Sequence, residues 1–97
     1  MELDSKIIKF LEKFLEEEFE ETVKLSLDSK LFGGGGPLDS MALVNLVVEL
    51  EELIQDDYGI TITLADEKAM SRRTSPFSRV KYLIDYIKEK LNTNSNE

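Results

Sequence analysis

The chain contains no cysteine and no histidine. The first absence excludes disulfides, thiolate metal sites and thiol nucleophiles, and the second removes the commonest general base near neutral pH. Carboxylates and serines alone make a thin catalytic set, so the chain is not expected to be an enzyme. Long apolar runs are also missing. None approaches the roughly 20 residues of a membrane span, and the N-terminal stretch lacks a signal-peptide layout, so the expectation is a cytoplasmic protein. Positive charge is scarce, with 12 basic residues against 20 acidic ones and a net of −8. Phosphate binding needs clustered Lys and Arg, so neither nucleic acid nor an anionic membrane is an expected partner. A protein partner with a basic docking patch is the natural counterpart.

What is present fits one small domain. The chain has 97 residues, 41% of them hydrophobic, enough for a modest core. Leu3, Ile7, Phe10, Leu11, Phe14 and Leu15 recur at three- and four-residue steps and predict an amphipathic helix from Glu2 to about Phe19. Its other face, with Glu12, Glu16 and Glu17, is expected to be acidic and solvated. From Glu20 to Phe32 no helical period holds. Val23, Leu25 and Leu27 alternate, but no partner strand is evident, and a long loop anchored by Leu31 and Phe32 is expected. Gly33-Gly34-Gly35-Gly36-Pro37 follows. It lacks the Gly-Lys-Ser/Thr ending of a phosphate-binding loop, which leaves a flexible connector or a device that presents the next helix.

That next helix runs from Ser40 to Tyr58. On a wheel of about 100° per residue with Met41 at the origin, Leu43, Leu46, Val47, Leu50, Leu53, Ile54 and Tyr58 share an arc of roughly 120° to 260°. Asp57 is the only charged member of that arc. Met41, Val44 and Val48 fall on the opposite side as a second apolar ridge, which so short a chain has little material to cover. Charge is segregated along the sequence. Six acids and no base lie between Asp39 and Tyr58, whereas seven bases and two acids lie between Lys68 and Lys90. Gly59 sits where a left-handed C-cap belongs. Thr63 to Asp66 reads as a cap opening a short helix through about Met70, and Ser75-Pro76 as the start of a last helix carrying Phe77, Val80, Leu83, Ile84, Ile87 and Leu91. The expectation is all-α: a small bundle of three main helices and one short one, a domain over 1–91 and a disordered polar tail over 92–97.

With cysteine and histidine absent, the residue in a special position is Ser40. It follows the glycine run, stands next to Asp39, and opens a helix whose unpaired N–H groups and positive partial charge suit a phosphate ester. Asp39 and Ser40 are also both ordinary capping residues, and a plain N-cap is the competing reading.

Leu38-Asp39-Ser40-Met41, the glycine just upstream and Leu46 to Glu51 resemble the carrier-protein family, the acyl and peptidyl carrier proteins. Their hallmark is Asp-Ser-Leu, with the serine modified by 4′-phosphopantetheine; here Met41 takes the place of leucine. The resemblance extends to Leu31-Phe32, Ile60-Thr61-Ile62 and Ile84-Asp85-Tyr86-Ile87, in the right order over most of the chain. It implies a four-helix bundle of acyl-carrier type. It also implies that a phosphopantetheinyl transferase moves the arm from coenzyme A onto Ser40, with Asp39 beside the attachment point. The carrier then holds an acyl or aminoacyl group as a thioester, receives it from a loading ligase and presents it to acyl-processing enzymes such as those of fatty acid biosynthesis, itself a monomer that catalyses nothing. Helix two would be the recognition helix, with Met41, Val44 and Val48 as its ridge and Glu51 and Glu52 as acidic contacts. Ala42 and Asn45 stand where housekeeping carriers place acids, the glycine run is longer, and Ala65 to Ser75 is longer and more basic through Arg72 and Arg73. The chain therefore resembles a stand-alone bacterial carrier of a dedicated, secondary pathway. The alternative from another class is an unmodified helical adaptor that binds through the Met41/Val44/Val48 ridge.

A net charge of −8 concentrated in part of a small domain implies self-repulsion that counterions relieve. The melting temperature is expected to rise with added salt or divalent cations; a flat response in a salt series by differential scanning calorimetry contradicts this.

Overall fold

A computed structural model of the chain describes residues 2–33, 35–64 and 75–95. Among them are three helices and no strand: α1 (Glu2–Phe19), α2 (Ser40–Tyr58) and α3 (Val80–Ser95). The short helix expected after Thr63 lies outside the described residues. The first two helices have the bounds expected of them, Glu2 to Phe19 and Ser40 to Tyr58. The third runs through Ser95, past the Asn92 where a tail was expected to begin.

The core joins one stripe from each helix to side chains dropped in from the connections. Ile7, Leu11, Phe14 and Leu15 come from α1, Leu43, Leu46, Val47, Leu50 and Ile54 from α2, and Val80, Leu83, Ile84, Tyr86 and Ile87 from α3. Leu31, Leu38, Ile62, Leu64 and Phe77 are the loop members. Burying side chains of this size stabilises by about 1.5–3 kcal/mol each, which is what holds three separately marginal helices together. Asp57, the charged intruder in the α2 arc, is reconciled with it by an ion pair: its carboxylate meets Lys6 Nζ of α1 at 2.9 Å. Tyr58 is not core but exposed, and its ring lies under the same ammonium at 5.5 Å. Lys88 of α3 reaches Asp4 of α1 at 2.9 Å. Partly exposed pairs of this kind are worth little energy, about 0.2–1 kcal/mol, and they mark which ends of the helices meet.

The first loop does have a pairing partner. Leu31 N–H donates to the carbonyl of Ser78 and Phe32 N–H to that of Phe77; in return Val80 N–H donates to Ser29 and Lys81 N–H to Leu27, all at 2.8–3.0 Å. An antiparallel bridge joins Lys30 to Arg79, and the Arg79 guanidinium donates to the Asp28 carbonyl at 2.7 Å. Val80 and Lys81 open α3, so the loop carbonyls satisfy donors that a helix start leaves unpaired. This corrects the expected helix start at Ser75-Pro76. Ser75 caps a single turn, its Oγ accepting from Phe77 N–H at 3.1 Å. The chain then extends through Ser78 and Arg79 to pair with the loop before the helix begins. Long-range backbone bonds outweigh the local helix signal here. At the edge of the ladder, hydrogen bonding to the Lys81 ammonium, and the ammonium's charge, hold the Asp28 carboxyl below the usual carboxylate range and push Lys81 up.

The rest of the loop is tied to α1. Glu12 accepts from Leu25 N–H at 2.8 Å and Glu16 from Val23 N–H at 3.1 Å. Two carboxylates of the face expected to be solvated are thus used as straps. At the far end, the segment after α2 is pinned at Leu64, whose N–H donates to Glu51 at 2.9 Å while its carbonyl accepts from the buried Tyr86 hydroxyl at 2.8 Å. The Tyr86 ring meets Phe77 edge-on, centroids 6.2 Å apart.

α1 is followed by Glu20, an exposed non-glycine residue in the left-handed region with φ 57°. A side chain there costs about 1–2 kcal/mol. Glycine removes that cost and gives back about 0.4–1 kcal/mol in unfolded-state entropy. Glu20→Gly is therefore expected to stabilise the chain by roughly half to one kcal/mol in urea unfolding; a destabilised variant contradicts this.

Candidate functional site

The site is the N-terminal end of α2 and the loop that delivers it. Leu38 is buried, its N–H donates to the carbonyl of Leu31 at 2.9 Å, and a parallel bridge joins it to Phe32. One residue later Asp39 adopts the extended backbone of an N-cap, with φ −94° and ψ −179°, and its Oδ1 accepts from Ala42 N–H at 2.8 Å. The Asp39 carbonyl accepts the first helical bond, from Leu43 N–H at 2.9 Å. Of the two candidate caps, the structure uses Asp39. Ser40 is the first helical residue, and Asp39, Ser40 and Met41 are all exposed. The serine hydroxyl therefore stands at the positive end of a helix without the capping duty.

The glycine run is more than a flexible connector. Gly33 has φ 101° and its carbonyl accepts from Gly36 N–H at 2.9 Å, closing a turn. Gly36 is required for a different reason. A Cβ built on it would lie 2.3 Å from the carbonyl oxygen of Leu31 and 2.7 Å from its carbonyl carbon. The close approach lets the chain fold back so that Leu38 reaches the same carbonyl. Leu31, anchored on one side to Ser78, thereby anchors the run-in to Ser40 on the other.

Downstream, Met41, Val44 and Val48 are 79%, 62% and 50% exposed, in contrast to the buried Ala42, Leu43, Leu46 and Val47 between them. Of the two acids expected beside this ridge, Glu52 is exposed, whereas Glu51 is half-buried with a carboxylate oxygen on Leu64 N–H. Glu49 is exposed instead. It is not among the acidic contacts that the sequence resemblance implies. The signal was there: Glu49 is the residue after Val48 on the outward side of the wheel. Among the described residues no helix is long and apolar enough to cross a membrane, and no group of three acidic, histidine or cysteine side chains is placed to hold a metal ion. Comparison with family models, curated proteins and solved structures returns no match to this chain.

Gly36→Ala forces the built Cβ against backbone atoms that cannot swing aside. It is expected to cost about 1–3 kcal/mol, the range for overpacking a filled site. It is also expected to shift the amide resonances of Leu31, Leu38 and Ser40; unchanged stability and unchanged resonances contradict the close-approach account.

Proposed function

We propose that this chain is a carrier protein that holds an acyl or aminoacyl group on a 4′-phosphopantetheine arm attached to Ser40. The observation that carries the reading is the division of labour at Asp39-Ser40: the aspartate caps α2, and the serine hydroxyl is left exposed at the helix start. A covalent arm needs that arrangement, an accessible oxygen on a backbone that does not move. In the modifying step the Ser40 oxygen attacks the pyrophosphate of coenzyme A, a phosphodiester forms, adenosine 3′,5′-bisphosphate leaves, and the hydroxyl proton passes to the transferase. When attached, the arm supplies the terminal thiol on which cargo is held as a thioester, a group the chain itself lacks. Asp39 keeps α2 capped so that the attachment point stays fixed. The N–H groups of the first helical turn favour the phosphodiester charge.

The ridge of Met41, Val44 and Val48, which begins one residue after Ser40, is the surface offered to the transferase, the loading ligase and downstream acyl-processing enzymes, with Glu52 as an acidic contact. A pinned run-in and a bare ridge suit presentation of cargo to successive partners. The Ala42 and Asn45 positions, and the basic Arg72 and Arg73, favour a dedicated secondary pathway over primary fatty acid synthesis.

Incubation with coenzyme A, magnesium and a broad-specificity phosphopantetheinyl transferase is expected to add one phosphopantetheine by intact mass. Ser40→Ala is expected to add none. Failure of the wild-type chain to load with several such transferases overturns the carrier reading and leaves an unmodified adaptor that binds through the same ridge.

A further inference from the structure

All of the excess negative charge of the chain sits on two helices. α1 and α2 together hold eleven acids and three bases, while the remaining residues hold nine of each. Several of those acids are committed inward: Glu12, Glu16 and Glu51 hold loop backbone, and Asp57 and Asp4 hold lysines. Glu17, Glu18, Glu49, Glu52 and Asp56 remain on the exposed surface. Between the same two helices lies a furrow of about 150 Å³, lined by Phe10, Lys13, Phe14 and Glu17 of α1 and Glu49 of α2. Phe14 is buried and Phe10 half-buried, so the furrow has apolar walls, and its charged lining is two carboxylates to one ammonium. Space of this size accepts a benzene-sized apolar group. Glu49 is one helical step of about 100° from Val48, so the furrow lies to one side of the ridge.

We propose that the docking face of this chain spans α1 as well as α2, and that the furrow anchors one large apolar side chain from a basic partner segment. The proposal goes beyond the carrier reading and holds whether or not Ser40 bears an arm. Charge selects the occupant. A second copy meeting this face with its own α1 and α2 would bring the same acids and be repelled, as would nucleic acid or an anionic lipid surface. A segment with lysines or arginines around an apolar residue meets Glu17 and Glu49 with opposite charge while its apolar side chain covers Phe10 and Phe14. The ridge supplies apolar area, and the furrow, off to one side of it, supplies register: a partner that fills both has one orientation on the helix pair.

The test is an amide-resonance titration of the full chain with an amphipathic helical Lys/Leu peptide. Shifts are expected at Phe10, Lys13, Phe14, Glu17, Val48 and Glu49 together. A Lys/Ala peptide of equal charge is expected to bind at least about tenfold more weakly because it lacks the anchor. Glu17→Lys with Glu49→Lys is expected to lower affinity for the Lys/Leu peptide about tenfold or more, and Glu21→Lys with Asp85→Lys, an equal change of net charge elsewhere, much less. Shifts confined to Met41, Val44 and Val48, equal binding of the Lys/Ala peptide, equal loss in both charge-reversed variants, or no binding at all would each overturn the proposal. Intact-mass loading of Ser40 on the same samples reports on the carrier reading separately, so either can fail while the other stands.

Discussion

The ladder between residues 27–32 and 77–81 is the constraint from which the rest of this small domain follows. Its four backbone bonds span about fifty residues of sequence and serve three purposes. They satisfy the first donors of α3, they give the first loop a fixed path, and they place the Leu31 carbonyl where Leu38 binds it. Side-chain packing holds the run-in to Ser40 at Leu31 and Leu38, and the ladder adds a fixed backbone path at Leu31 and Phe32. Each such bond contributes only about 0.5–1.5 kcal/mol net, and leaving the buried groups of Leu31, Phe77 and Val80 unpaired costs more. Gly36 belongs to this constraint, because only a residue without a Cβ lets the chain turn back onto Leu31.

Carboxylates divide into two populations with different effects. Glu12, Glu16 and Glu51 bind backbone N–H groups of Leu25, Val23 and Leu64, charge-assisted bonds stronger than neutral ones. Asp39 does the same at the start of α2. The outward population gives α1 and α2 their shared negative face. An acidic composition therefore supports the fold and marks a surface at once, and the two uses are told apart only by what each oxygen touches.

Much of this was legible in the residues, and the part that was not has a common cause. The bounds of α1 and α2 follow from strong 3.6-residue periodicity, and the Gly59 end from the left-handed backbone that glycine favours, φ 66° here. The Met41/Val44/Val48 ridge follows from the same wheel, since a helix in a small domain has one face covered. The start of α3 did not follow, because Ser75-Pro76 is a good local start that distant carbonyls of Ser29 and Leu27 override. Nor did the inward turn of Glu51 and the burial of Tyr86, both set by a contact with Leu64 far along the chain. At the candidate site, sequence placed Ser40 at the helix start but left the cap open between two suitable neighbours. The choice of Asp39 rests on one bond, to Ala42 N–H, that composition does not encode.

Native-state hydrogen exchange on the unmodified chain tests the central claim, that the run-in to Ser40 is held by the ladder and not merely tethered. The account predicts that the amides of Leu31, Phe32, Leu38 and Val80 open with free energies within about 1 kcal/mol of those of Leu46 and Leu50 in the core of α2. Exchange of those four amides at open-loop rates, while Leu46 and Leu50 stay protected, would contradict it.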